Sequence, residues 1–288
     1  MSVSFDPTMR ERVEQQLRNE GVTRSVDSVI AQFEYERRMA EQLRKASPAE
    51  RRLLYKQAYN ELFAMFPDHP ELAADINNRK LRASRIFDKI SNFINENVVF
   101  LDIGAGDCLL SYIVAQHAKW VYALEVTEQK LELSDRPPNF SLVLFDGFEF
   151  PLPNESINVA FSHQVLEHLH PDDARLHLRE VFRVLRPDGC YICVTPHRFA
   201  GPHDISKYFS REPLGLHLKE YTYNDIMKLF KSEGFKDVKV FIKRHLLPIS
   251  FVSALESILS VLPYLIRKKL FMKSISLASI SIVARKST

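Results

Sequence analysis

The stretch VVFLDIGAGDCLLSYIVAQHAKWVYALEV, residues 98–126, holds two of the chain's eight glycines, two positions apart and just behind an aspartate. The apolar run VVFLDI leads into Gly104 and Gly106, a helix-like segment follows, and a second apolar run, WVYALEV, carries Glu125 near its end. Strand, short loop, helix and strand make a βαβ unit, whose strands run parallel and whose crossover is right-handed. Ligands of such sheets bind outside the carboxyl ends of the strands. Gly104 and Gly106 stand at that edge, where the missing Cβ lets the backbone turn sharply and a ligand come close to it.

The same texture continues downstream. Apolar runs at 98–103, 120–125, 140–145, 157–162 and 189–195 read as strands, with helices expected at 107–117, 128–134 and 164–185. Thr222 and Asp225 cap another helix that ends at Gly234, and strands at 236–243 and 275–284 follow. The pattern predicts an α/β fold with a mainly parallel sheet covered on both faces. Upstream the texture is helical, with amphipathic stretches at 6–20 and 25–46. Ser47, Pro48 and Glu50 then give an N-cap, a first-turn proline and a capping-box glutamate for a helix to about residue 66. PDHP at 67–70 breaks it, and a further helix is expected over 71–95. The expected division is therefore a helical N-terminal cover region, 1–95, and a ligand-binding domain, 96–288, with a helical insert at 246–272.

Bulk properties narrow the class without choosing a function. The 288 residues are 45% hydrophobic and 26% charged, which excludes a disordered or fibrous chain. The net charge of +3 is too small to imply nucleic-acid binding, but from His197 onward sixteen Lys and Arg face seven Asp and Glu. Cys190 and Cys193 form a C-x-x-C, yet on a strand positions three apart face opposite sides, so no shared metal or redox role is expected. The N-terminus lacks the apolar core of a signal peptide, and no run reaches the roughly 18 apolar residues of a membrane span. A cytoplasmic location is the expectation. The segment HLLPISFVSALESILSVLPYLIRKKLF is apolar but interrupted, with Leu255, Ile258, Leu259 and Leu262 on one helical face and Arg267, Lys268 and Lys269 after it. Core packing, dimerisation or peripheral membrane contact through 246–272 would each suit it.

Two ligand classes use a glycine loop of this kind. A dinucleotide site wants G-x-G-x-x-G, and here Leu109 takes the third glycine position. A carboxylate at Asp102 would also repel a pyrophosphate by about 1–4 kcal/mol at a separation near 4 Å. A cationic ligand fits Asp102 better, which leaves a nicotinamide oxidoreductase disfavoured.

LDIGAGDC resembles the first motif of class I S-adenosylmethionine-dependent methyltransferases, with Cys108 in place of the last glycine. WVYALEV, LVLFDG, the segment 150–169 and FRVLRPDGCYICVTP at 182–196 are similar to the family's later motifs, in its order and spacing. The likeness covers about residues 95–245 with 275–286. It implies a Rossmann-like, mostly parallel seven-stranded sheet and S-adenosylmethionine as cofactor. It implies that Asp102, Gly104 and Gly106 surround the methionine part, that Glu125 meets the ribose, and that Asp146 and Gly147 meet the adenine. Ser162 and His163 would then lie near the reacting methyl, with His163 as base or orienting group for the acceptor.

On the acceptor side, His197, His203, Tyr208, His217 and Tyr221 follow the fifth strand at the site edge and are candidate pocket residues. HLKEYT, at 217–222, is similar to a segment of related small-molecule methyltransferases. Methyl transfer of this type needs no metal, so none is expected, although His163, Glu167 and His170 have helical spacing. The reading is a methyltransferase acting on oxygen, or else nitrogen or carbon, of a small-molecule, glycan or lipid-linked acceptor. A non-catalytic cofactor-binding scaffold and an RNA methyltransferase are the alternatives. No basic arm with interleaved aromatics favours nucleic acid as partner.

Overall fold

The computed structural model describes residues 6–127, 136–242, 245–273 and 278–286. Its strands are β1 (Val99–Ile103), β2 (Trp120–Glu125), β3 (Phe140–Leu144), β4 (Ile157–His163), β5 (Leu185–Pro196), β6 (Asp237–Ile242), β7 (His245–Pro248) and β8 (Ser279–Arg285). They form one sheet in the order β3-β2-β1-β4-β5-β8-β6-β7. The first five run parallel, while β8 is antiparallel to both β5 and β6. This is the expected Rossmann-like arrangement with an eighth strand added at the edge. Residues 246–248, expected to open a helical insert, instead pair antiparallel with β6, together with His245. The chain leaves β1 for β2 on one side and reaches β4 on the other, so the carboxyl ends of β1 and β4 flank the switch point where such sheets take ligands.

Helices cover both faces. The N-terminal set is α1 (Pro7–Asn19), α2 (Val26–Lys45), α3 (Pro48–Met65), α4 (Pro70–Ala73) and α5 (Ile76–Ile90); α6 (Leu109–Ala115), α7 (Pro171–Val184), α8 (Tyr223–Ser232), α9 (Ile249–Ser260) and α10 (Tyr264–Met272) follow. Ser47 and Glu50 make the expected capping box of α3, and Thr222 and Asp225 that of α8. The helix expected over 71–95 is split, because Asp75 takes the N–H groups of Asn77 and Asn78 and starts α5 afresh. The one expected over 164–185 begins only at Pro171, after a 3-10 turn at Leu166–His168. The helix expected at 128–134 lies outside the described residues.

One sheet face packs Leu101, Ile103, Ala160, Tyr191 and Cys193 against α2, α3, α7 and α8, while the other packs Phe100, Val159, Phe161 and Cys190 against α5 and α6. Cys190 and Cys193 are both buried and free, on opposite faces as the period of a strand requires. A smaller cluster joins Val13, Leu17, Val29 and Phe33 to Ile205 and Tyr208, which seats α1 and α2 over the loop after β5.

The insert is held by one buried acid. Glu256 on α9 accepts from Tyr223 N at 2.8 Å and Asn224 N at 3.1 Å, the first backbone donors of α8, and contacts His197 Nε2 at 2.7 Å. Ile249, Val252, Ser253 and Glu256 therefore face inward, and Phe251, Leu255 and Ile258 face out.

The N-terminal helices are locked to the domain by Arg51. Its guanidinium donates to both oxygens of Asp173, at 2.6 and 2.7 Å, and Tyr55 adds a third donor at 2.8 Å. Both charged side chains are 3% exposed. Breaking a buried pair leaves the other charge uncompensated, which costs about 3–5 kcal/mol. Asp173→Ala is expected to lower the unfolding free energy by about that amount in a urea titration. Glu149→Ala, removing an exposed partner of Arg52, should cost under about 1 kcal/mol in the same measurement.

Candidate active site

A cavity of about 920 Å³ opens at the carboxyl ends of β1, β2 and β4, beneath α2, α3 and α5. Its floor is the loop after β1, which passes through left-handed conformations at Gly104 (φ 68°), Gly106 (φ 59°) and Cys108 (φ 62°). One carbonyl pins it: Leu124 O accepts from Gly104 N at 2.9 Å and Ala105 N at 3.2 Å. The two glycines serve different ends. A Cβ on Gly104 would sit 2.6 Å from Val165 Cγ2, so that glycine admits a neighbouring side chain of the chain itself. Nothing lies within 4 Å of a Cβ built on Gly106, so there the backbone is open to a ligand. Cys108 takes the third left-handed position without glycine's freedom, a conformation that costs an L-residue about 1–2 kcal/mol.

The strand-end carboxylates divide. Asp102, 3% exposed, accepts from Ser111 Oγ at 2.6 Å. Glu125 folds back on the loop and accepts from Gly106 N at 2.9 Å and Val126 N at 2.8 Å. Both line the cavity. Asp146 does not: it pairs with Arg52 of α3 and accepts from Phe148 N at 2.9 Å, while its neighbour Gly147 is in the lining.

Of the residues expected near the methyl and the acceptor, His163, His203, Tyr208 and His217 line the cavity. Ser162 does not reach it, because its hydroxyl is buried in a 2.6 Å contact with the Tyr191 hydroxyl. His197 and Tyr221 are also directed elsewhere, His197 onto Glu256 and both fully within the core. His163, Glu167 and His170 do not form a ligand set. His170 instead accepts from Asp172 N at the start of α7, while Glu167 lies with His168 and His217.

The sequence led to the expectation of an N-terminal helical cover but singled out none of its lining residues. Gln32, Glu36, Tyr55, Tyr59 and Phe63 of α2 and α3 line the cavity from above. Glu36 had a legible signal, since Val29, Phe33, Ala40 and Leu43 are the buried stripe of α2 and Glu36 sits on it with helical spacing. Its carboxylate accepts from Leu216 N at 3.2 Å and from Gln32.

Burial shapes the charge. It pushes the Asp102 carboxyl up to about 7, against the Ser111 bond, with Glu125 and Asp107 adding to the rise. Burial also raises Glu36 to about 7, Glu220 to about 7 and Glu167 to about 8. The same desolvation, helped by Arg82 and Lys89, drops the His163 imidazole to about 4, so that ring is neutral at pH 7.

A family model described as a methyltransferase domain matches residues 101–193. The chain is similar to a probable S-adenosylmethionine-dependent methyltransferase of Mycolicibacterium smegmatis, 31% identical over 140 residues, 47% of this chain and 51% of that protein. A probable S-adenosylmethionine-dependent methyltransferase of Mycobacterium tuberculosis is 31% identical over 142 residues, 48% of each chain. The chain spans about half the length of these curated relatives. In fold it is similar to the 1,6-didemethyltoxoflavin-N1-methyltransferase of Burkholderia thailandensis, solved with 1,6-didemethyltoxoflavin and S-adenosylhomocysteine bound. That likeness has a TM-score of 0.54 at 18% identity, over 84% of this chain and 92% of that one.

The buried acids set a pH dependence of stability. Their folded-state values lie above those of an unfolded chain, so they stabilise below about pH 4 in full and lose that contribution as pH rises through 7–8. His163 and His177, lowered from 6.5 to about 4, act in the opposite sense: their contribution is full and constant above about pH 7 and is lost only as pH falls toward 4. The ligand-free protein is therefore expected to melt at a lower temperature at pH 8.5 than at pH 7. Asp102→Asn and Glu36→Gln should each flatten the slope in a calorimetric scan.

Proposed function

With a class I S-adenosylmethionine-dependent methyltransferase domain as its core, this chain, we propose, transfers a methyl group from S-adenosylmethionine to an oxygen of a small or lipid-linked acceptor held under the N-terminal helices. The observation that carries this reading is the meeting of Asp102 and Glu125 in one cavity, around a loop left open at Gly106.

The residues present suit the cofactor. Bound there, S-adenosylmethionine supplies a methyl already activated on a cationic sulfur. Asp102 stands where a carboxylate offsets positive charge, and Gly106 lets the methionine part approach the backbone. Each Glu125 oxygen takes one backbone N–H, which holds the carboxylate at the edge of the cavity where ribose hydroxyls would meet it. Gly147 borders the adenine end, with Asp146 and Arg52 closing its outer edge. The roof of Tyr55, Tyr59 and Phe63 excludes water and fixes the acceptor, so that alignment supplies much of the rate. A neutral His163 is a weak base and a good hydrogen-bond partner, which favours its orienting role.

The insert supports a lipid-linked acceptor. Phe251, Leu255 and Ile258 stand out from one face of α9, Ile258 being 68% exposed, and Val261 and Leu265 continue the patch. Lys268, Lys269 and Lys273 border it. An exposed apolar surface edged by cations is what an anionic bilayer binds.

Two experiments test the reading. Calorimetry should show Glu125→Ala weakening S-adenosylmethionine by about 10- to 100-fold, as expected for losing charge-assisted bonds worth about 1.5–3 kcal/mol; the parent protein, given labelled cofactor and cell extract, should mark the lipid or small-molecule fraction. Cofactor binding with no label in any fraction would leave a non-catalytic scaffold, and label in RNA alone would replace the acceptor class. Separately, the protein should sediment with vesicles containing phosphatidylglycerol and stay in solution with neutral ones. The double change Leu255→Ser and Ile258→Ser should abolish that sedimentation, whereas concentration-dependent dimers without it would assign the patch to self-association.

A further inference from the structure

We propose that Glu167, His168 and His217 form a divalent-metal site at the acceptor end of the cavity. A carboxylate oxygen of Glu167 and one ring nitrogen from each histidine lie within 4.8 Å of one another. His168 and His217 both line the cavity, so the open side of such a site faces the bound acceptor.

Each histidine gives one ring nitrogen to an acceptor outside the set, and the two rings meet edge to face with centroids 4.7 Å apart. His168 Nδ1 is 3.1 Å from Leu216 O, which can only accept, so Nδ1 carries the proton and Nε2 the lone pair. His217 Nδ1 is 2.9 Å from Glu220 Oε1, an oxygen that already accepts from His203 N at 2.7 Å. That nitrogen too is the donor, and Nε2 is again the basic one. Metal-bound histidines nearly always give their other N–H to a carbonyl or carboxylate, which fixes the tautomer and aims the ring. Here one has each kind of partner.

Glu167 supplies the independent sign. It is fully buried, Thr195 Oγ1 donates to its Oε2 at 3.0 Å, and its Oε1 has no hydrogen-bond partner among the described residues. An unsatisfied buried carboxylate oxygen costs more than about 1–3 kcal/mol unless something meets it. The two segments are also fastened together, since Lys219 N donates to Glu167 O at 3.1 Å. Three donors held at about 2.0–2.2 Å from one ion stand closer together than 4.8 Å, so metal binding would draw these side chains inward.

Two imidazoles and a carboxylate favour zinc, cobalt, iron or manganese over magnesium or calcium. Three protein ligands leave coordination positions open, as in sites that take substrate. The ligand assignment stands apart from the methyl-transfer reading; only the use of the ion, to hold an acceptor oxygen, rests on it.

The test is a cobalt(II) titration of the chelator-treated full chain, followed by visible absorption and calorimetry. One equivalent should bind with a ligand-field band, and zinc(II) should displace it. His217→Gln and Glu167→Gln should each abolish the band, and Glu220→Gln, which only orients a ligand, should weaken binding by about 10- to 100-fold. Variants are compared only where circular dichroism matches the parent. Absence of stoichiometric cobalt in the parent overturns the proposal, as does a band unchanged in His217→Gln or Glu220→Gln. Glu125→Ala separates the two readings: lost cofactor binding with cobalt retained supports both, and a parent that binds cobalt without S-adenosylmethionine defeats the methyl-transfer reading alone.

Discussion

The carbonyl of Leu124 holds the site together. By taking two successive N–H groups of the loop after β1, it clamps a backbone that passes three times through left-handed conformations within five residues. The clamp sets Gly106 against Glu125, places Asp102 beneath the turn, and starts α6 at Cys108 without a side-chain cap. Parallel pairing of β1 with β2 is what brings Leu124 to this position. Sheet register and ligand loop are thus one constraint, and a slip in the first would scatter the second.

Several carboxyl groups of the site region are withdrawn from water. Asp102 and Glu36 line the cavity while Glu167 and Glu220 are buried behind it, and burial raises each of the four toward the neutral range. Isolated charges there are costly, so burial favours the protonated form of each acid. The N-terminal helices create this dryness. Arg51 ties α3 to α7 through Asp173, Glu36 ties α2 to Leu216, and Arg52 ties α3 to Asp146. The cover is built into the site rather than laid upon it.

The insert shows a polar residue doing what an apolar stripe was expected to do. Glu256 interrupts the run of leucines, yet it is the residue that docks α9, because the first N–H groups of α8 need acceptors. Once it points inward, helical geometry turns Leu255 and Ile258 outward.

Sequence alone determined the β-strand and α-helix alternation, the glycine loop, Asp102, Glu125 and the opposed cysteines, because strand period, turn chemistry and capping act between residues close in the chain. The sheet's eighth strand, the break before α5 and the late start of α7 escaped it, since each depends on pairing or capping that competes with local propensity. Tertiary structure alone decided which side chains share the cavity. It brought Glu36 and Tyr59 over the loop from far along the chain and gathered Glu167, His168 and His217. It drew His197 away to Glu256 and Ser162 to Tyr191. The physical reason is that hydrophobic packing fixes how helices sit on the sheet, and a polar side chain's partner is whatever that packing leaves within hydrogen-bond reach.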